Sequence, residues 1–261
     1  MIRKNHHFFS LNFNLWPLVI SLNCINLFFS LVIFFKKMVL TNFLFGLLIL
    51  SFWAFSWWLN YRGEFNVSGS IRRDLEQGLK FSMLLFISSE VFFFFSFFWA
   101  YFHFFLSPCL EARLIWPCSF TKIFDYSNVP MLNTLILLGS GVTITIRHFF
   151  IVKGEKTFSI FWSFLTGAMG LLFTALQAQE YRASFFSLRD GRFGTSFFML
   201  TGFHGLHVII GTTFIIINAV YFFKFSFCKD RVLRFEMASW YWHFVDVVWI
   251  FLFFFLYYIN F

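Results

Sequence analysis

Charged residues are scarce in this chain. Asp, Glu, Lys and Arg make up 12% of its 261 residues, whereas soluble domains carry about 25%. Hydrophobic residues account for 59%, and the mean hydropathy is +0.75. The composition excludes a soluble globular domain and predicts an integral membrane protein. Phenylalanine occurs 49 times, an excess that is typical of a genome rich in A and T and would suit an organelle-encoded gene.

Motifs for catalysis and for nucleic-acid binding are also missing. The sequence contains no nucleophile–base pair, no phosphate-binding loop and no dinucleotide fingerprint, so it offers no self-contained active site. The net charge of +8 comes from basic residues scattered over short loops. Such scatter is typical of a membrane protein held against lipid headgroups. We therefore expect no nucleic-acid partner.

Cysteine is rare as well, with four residues in the chain. None of them lies in a CxxC or CxxCH pattern, which excludes covalent haem attachment and a zinc ribbon. Cys24 lies within an apolar segment and is expected to serve packing. Cys109 and Cys118 share one loop, and the sequence leaves open whether they form a disulfide or remain two free thiols.

Seven apolar segments are long enough to cross a bilayer, whose core of about 30 Å needs about 20 residues per helix. An open sheet edge cannot be satisfied in lipid, so we predict an all-α polytopic membrane protein with seven transmembrane helices. The predicted spans are Leu15–Phe35, Thr41–Asn60, Lys80–Leu106, Val129–Arg147, Thr157–Gln179, Thr195–Phe223 and Met237–Tyr258.

A polar stretch separates the first two spans from the last five. It divides the chain into residues 1–60 with the first two helices, a connecting segment over 61–79, and a five-helix bundle over 80–261. Thirteen Lys and Arg residues fall on the side of the N-terminus and seven on the other side. By the positive-inside rule, this bias predicts that the N-terminus lies inside and the C-terminus outside.

Glu90 lies inside the third span, where an ionisable side chain is costly and is a functional hypothesis by default. Two interpretations follow from the sequence. The carboxyl handles protons or contacts lipid, or it is a protonated acid that is hydrogen-bonded to a neighbouring helix.

His204 and His207 share one face of the sixth span, close to Gly202, Gly205 and Gly211. Haem ligation would want paired histidines on two facing helices, and a copper site would want cysteine or further histidines close by. The glycines instead let another helix approach closely. We therefore expect these histidines to hydrogen-bond between helices, and we expect no metal site in this chain.

His243 and Asp246 lie three residues apart in the last span and share a helix face. One interpretation is a proton relay. The favoured interpretation is that Asp246 accepts a hydrogen bond from a donor on a neighbouring helix and holds the bundle in register.

Aromatic and basic residues cluster near the predicted helix ends. Amphipathic rings favour the membrane–water interface, so ordinary anchoring explains most of these aromatics. The expected interfacial rings are Trp57, Trp58, Trp240, Trp242, Tyr257 and Tyr258. Some of these residues, with the basic side chains, could also hold phospholipid headgroups. The candidate lipid-binding residues are Trp58, Arg62, Glu64, Arg72, Arg73, Trp99 and Lys224.

Three strings in the predicted spans carry a family resemblance. They read SEVFFFFSFFWA over 89–100, GFHGLHVIIG over 202–211 and WYWHFVDVVW over 240–249. Together with LQAQEY from Leu176 and DGRFGTSFF from Asp190, they make the chain resemble subunit III of cytochrome c oxidase, of the mitochondrial type. The resemblance runs over nearly the whole length. One departure is Leu59 and Asn60, which stand where the family often has an Arg-Asp pair.

The resemblance implies two helices plus five around a V-shaped cleft filled with structural phospholipids, cardiolipin possible among them. It implies a non-catalytic subunit of the mitochondrial inner membrane, with its N-terminus in the matrix and its C-terminus towards the intermembrane space. Its main partner would be subunit I, near the entrance of a proton-uptake pathway, beside other core and accessory subunits. Haem a, haem a3 and copper would lie in partner subunits. Glu90 matches the family's intramembrane glutamate, and His243 and Asp246 match the signature of its last helix.

Two alternatives stay open at this point. A stand-alone transporter could use Glu90, His243 and Asp246 as a proton path. Transporters tend to show inverted repeats and broken helices, however, and the four prolines lie near predicted helix ends or in loops. A quinol oxidase could contain a homologous subunit III, because another subunit chooses the electron donor.

Overall fold

The computed structural model describes residues 15–38, 40–67, 73–108, 116–117, 124–224 and 229–260. Within these ranges the chain forms helices and no strands, and seven helices are long and apolar enough to cross a membrane. The predicted all-α fold with seven spans is confirmed. The helices are α1 Trp16–Lys37, α2 Leu40–Val67, α3 Arg73–Leu106, α4 Val129–Lys153, α5 Lys156–Ala183, α6 Gly191–Lys224 and α7 Lys229–Leu252, and a π-helical turn, Phe253–Tyr258, continues α7.

The helices run past the apolar segments that predicted them. α2 continues to Val67 and α3 already begins at Arg73, so most of the stretch that was expected to connect two helices is itself helical. Hydrophobicity marks only the part of a helix that lies in hydrocarbon, about 20 residues. Backbone hydrogen bonds continue beyond it, which is why the predicted helix ends were wrong by up to eight residues.

The chain divides into two compact units, Met1–Ile71 and Arg72–Phe261. The first unit contains α1 and α2, which pack on each other as a hairpin. Met38 ends α1 in the left-handed conformation, with φ of 56°, and its backbone N–H donates to the Phe34 carbonyl. This turn reverses the chain within a few residues.

The second unit is a bundle of α3 to α7. α4 packs on α5, α5 on α6 and α6 on α7, while α3 lies against α6 and α7. Pro130 stands in the first turn of α4 and Gly154 follows its end with φ of 81°. Proline suits a helix start, and glycine adopts the left-handed C-terminal position without strain. The sequence therefore marks both the start and the end of α4, the first helix of the α4–α5 hairpin.

Two tryptophans of α7 fill the centre of this bundle. Trp242 and Trp249 are fully buried. Trp242 donates from Nε1 to Ser140 Oγ on α4 at 2.9 Å, and Trp249 donates from Nε1 to Thr134 Oγ1 at 3.0 Å. The expectation that Trp242 sits at the interface was wrong, because its position near a helix end did not reveal that its ring points inward.

Candidate functional site

Glu90 on α3 and His207 on α6 form a polar link between two spans. Oε2 of Glu90 lies 2.9 Å from Nε2 of His207. Nδ1 of His207 lies 2.6 Å from the carbonyl oxygen of Phe203, one turn earlier. A carbonyl oxygen only accepts, so Nδ1 must carry a proton. The histidine is thereby fixed in one orientation, with Nε2 aimed at the carboxyl.

The Glu90–His207 contact requires one proton between its two atoms. Either a neutral imidazole accepts a hydrogen bond from a carboxylic acid, or an imidazolium donates one to a carboxylate. Rings surround the pair: the centroids of Phe94, Tyr241 and Phe244 lie 5.1, 6.3 and 6.4 Å from that of His207. The side chains of His207 and Glu90 are 9% and 22% exposed, so the histidine is the inner partner.

His204 occupies a different contact, although it lies only one turn from His207. It is fully buried, and its Nε2 lies 3.2 Å from the carbonyl oxygen of Val245 on α7. Nε2 is therefore the protonated nitrogen, and Nδ1 has no hydrogen-bond partner among the described residues. The ring packs against Trp249, with centroids 5.0 Å apart. His204 and His207 thus bind two different neighbouring helices.

His243 and Asp246 lie together on α7, with Nδ1 of the histidine 3.7 Å from Oδ2 of the aspartate. The side chain of His243 is 43% exposed, whereas that of Asp246 is 8% exposed. Oδ2 of Asp246 faces Gly141 on α4, where an added Cβ would lie only 2.5 Å away. The expected donor from a neighbouring helix is not found within the described part of the chain. Glycine on α4 offers backbone surface there and no side-chain donor.

Of the candidate lipid-binding residues, Trp99 can be described: it lies on α3 with 67% of its surface exposed. The others fall outside the described side chains, as do Cys109 and Cys118. The lipid-binding candidates outside the described side chains are Trp58, Arg62, Glu64, Arg72, Arg73 and Lys224.

Arg147 is a buried residue whose role the sequence did not reveal. It stands at the end of the fourth predicted span and was counted as a loop cation. The structure buries it completely inside the bundle. Its guanidinium carbon lies 4.2 Å from the ring centroid of Phe235 and 5.3 Å from that of Phe222. Its three side-chain nitrogens have no hydrogen-bond partner among the described residues, so cation–π attraction is its main visible contact.

Fold and site together define a multi-pass helical membrane protein whose histidines in the sixth span hydrogen-bond to its own neighbouring helices. In the described ranges, no three His, Cys, Asp or Glu side chains are grouped as metal ligands.

Comparison with known proteins identifies the family. Residues 6–261 match the family described as cytochrome c oxidase subunit III. The protein named cytochrome c oxidase subunit 3 from Anopheles gambiae is 41% identical over 249 residues, which are 95% of each chain. Proteins of the same name from Dugong dugon and Danio rerio are 42% and 41% identical over 253 residues, or 97% of each chain. The chain therefore belongs to the cytochrome c oxidase subunit III family.

Proposed function

We propose that this chain acts as a core, non-catalytic subunit of respiratory complex IV in the mitochondrial inner membrane. In that complex, electrons pass from cytochrome c to oxygen while protons are pumped. The chain would stabilise the catalytic subunit I and keep its proton uptake fast. The observation that carries the proposal is the Glu90–His207 contact, which uses the glutamate of the third span to join α3 to α6.

The histidines of α6 already link helices within this chain. Nε2 of His204 contacts a backbone carbonyl, and both ring nitrogens of His207 are engaged. In the proposed complex, haem a, haem a3 and copper would be held by partner subunits. This chain would contribute a rigid helical surface, and subunit I would be its main contact beside other core and accessory subunits.

Lipid is the second ligand that we propose. The described faces of α1, α2 and α3 expose large apolar side chains, which need hydrocarbon or another protein against them. Structural phospholipids, cardiolipin among them, would occupy the V-shaped cleft that the family resemblance implies. The excess of Lys and Arg on the side of the N-terminus supports an orientation with that end in the matrix.

The test is to purify the complex that contains this chain in mild detergent. A reduced-minus-oxidised spectrum and oxygen uptake with cytochrome c would then be recorded. We expect haem a signals and oxidase activity to copurify, and we expect activity to decay during turnover once this chain is stripped away. A chain that purifies without haem and moves protons alone in liposomes would instead be a transporter. Oxygen uptake driven by a quinol and not by cytochrome c would point to a quinol oxidase.

A pair of variants separates a structural contact from a proton carrier at Glu90. Glu90→Gln keeps a group that can donate to Nε2 of His207 but cannot exchange a proton at neutral pH. Glu90→Leu removes the contact altogether. If the contact is structural, the Gln variant should turn over like the wild type and only the Leu variant should lose this chain on purification. Slow proton uptake in an intact Gln variant would assign Glu90 to proton transfer.

A further inference from the structure

A second buried polar group lies between α5 and the end of α7. Gln177 and Glu180 stand one turn apart on α5 and are 4% and 3% exposed. Tyr257, in the π-helical turn, is fully buried, and its hydroxyl faces both of them. Sequence reasoning missed this group, because the fifth predicted span ended at Gln179, before Glu180, and Tyr257 was expected to lie at the membrane interface.

These side chains lie close together, but no well-formed direct hydrogen bond joins them. Both carboxyl oxygens of Glu180, both amide atoms of Gln177 and the Tyr257 hydroxyl lack a hydrogen bond of good distance and angle to any described residue. Buried polar groups in native proteins are nearly always paired, with protein or with ordered water. Polar atoms that face each other without a well-formed direct hydrogen bond are commonly bridged by a water molecule.

The backbone at this point supports a built site. The π-helical turn Phe253–Tyr258 widens the end of α7 and buries Tyr257 while Tyr258 stays 54% exposed. Isolated π-helical turns occur frequently at functional sites. The ring of Tyr257 is wedged between Phe197 and Trp249, with centroids 5.4 and 6.1 Å away. Those rings direct its hydroxyl but offer it no acceptor.

A fourth polar side chain lies at the same level of the bundle. The Thr143–Thr166 hydrogen bond, at 2.7 Å, sets the register between antiparallel α4 and α5. Counting ten residues back from Thr143 and eleven forward from Thr166 places Asn133 at about the same level along the helix axes as Gln177. Asn133 is fully buried, and neither of its amide atoms has a partner among the described residues.

We propose that Gln177, Glu180 and Tyr257 form an internal water-binding site between α5 and the π-helical end of α7. Water fits because the site mixes donors and acceptors: the Gln177 amide donates, the Glu180 oxygens accept, and the tyrosine hydroxyl does either. A buried water commonly makes two to four hydrogen bonds, which three such side chains supply. A cation such as Ca²⁺ or Mg²⁺ would want about six or more oxygen ligands, whereas these three side chains offer only their amide, carboxyl and hydroxyl oxygens.

The deciding experiment is a high-resolution structure of the native complex, purified through this chain. We expect a solvent peak within hydrogen-bonding distance of both the Glu180 carboxyl and the Tyr257 hydroxyl. Tyr257→Phe should weaken or remove that peak, whereas Glu180→Gln, which keeps two polar atoms of the same shape, should retain it. Tyr258→Phe is the matched control, since its exposed ring lies next in sequence and should leave the peak unchanged.

Two results would overturn the proposal. One is a wild-type map in which Tyr257 bonds directly to Glu180 or Gln177 and no solvent peak lies between them. The other is a peak that is surrounded by oxygens at the short distances of a bound cation and that disappears when the cation is removed. If the Tyr257→Phe complex fails to assemble, the wild-type map alone shows whether a water molecule occupies the site. That result does not depend on whether the chain serves an oxidase or acts as a transporter.

Discussion

The hairpin of α1 and α2 and the bundle of α3 to α7 are held together by different contacts. In the hairpin, the side-chain hydrogen bonds described on each helix return to that same helix, as with Ser30 to the Leu27 carbonyl and Ser51 to the Leu47 carbonyl. In the bundle, polar side chains reach across to neighbouring helices, as with Glu90 to His207 and Trp242 to Ser140.

Burial follows the same division. Ser30 and Gly46 are the buried residues among the described side chains of the hairpin, and they meet each other: a Cβ on Gly46 would lie 3.3 Å from Ser30 Oγ. The bundle buries whole tryptophans. Lipid tails are as apolar as leucine, so helices in a bilayer gain little from hiding apolar side chains. Close packing and polar pairs must hold the bundle, while the hairpin relies on its turn and one small-residue contact.

The largest difference is expected when tryptophans of the two units are truncated. Trp242→Ala should destabilise the bundle by about 3–5 kcal/mol, because it leaves a cavity and removes the hydrogen bond to Ser140. Trp53→Ala, on the half-buried face of α2, should cost much less. Melting temperatures of the purified complex would show this. Equal losses from both variants would mean that the hairpin is packed as tightly as the bundle.

The seven spans could be predicted from the sequence because apolar length alone reports a membrane crossing. The pairing of those spans could not. Periodicity places Glu90 and His207 each on a helix, but it does not say that α3 lies against α6. Trp242 and Tyr257 were assigned to the interface because they stand near predicted ends, yet both are fully buried. Proximity to an end does not fix the direction of a ring.

Arg147 provides the second prediction. A buried ion loses several kcal/mol of hydration, and a cation–π contact of about 2 kcal/mol does not offset that loss. Arg147→Met removes the charge and leaves a flexible apolar side chain that is somewhat shorter, so it should leave stability unchanged or raise it by about 1–4 kcal/mol. The melting temperature of the complex is the measurement. A marked loss in the Met variant would reveal an anionic partner for Arg147 in the assembled complex.

Gly211 on α6 tests how closely this helix packs against Trp242. An added Cβ on Gly211 would lie 2.8 Å from Cε3 of Trp242, against a ring that is fully buried. Gly211→Ala should therefore destabilise the bundle by about 1–3 kcal/mol through overpacking. Gly202→Ala is the control on the same helix, since nothing lies within 4 Å of its added Cβ. If both variants melt alike, the contact between α6 and Trp242 is looser than the structure indicates.

The smallest effect is expected at the equivalent contact of the hairpin. An added Cβ on Gly46 would meet Ser30 Oγ at 3.3 Å and Leu27 Cδ1 at 3.4 Å, both on movable side chains. Ser30 can rotate and leucine can shift by a few tenths of an ångström, so Gly46→Ala should change stability by no more than about 0.5 kcal/mol. Melting of the complex in lipid nanodiscs, with Gly211→Ala alongside, measures the difference. A cost at Gly46 as large as that at Gly211 would show that a small-residue contact in lipid is as restrictive as a buried tryptophan, and the contrast between the two units would then fail.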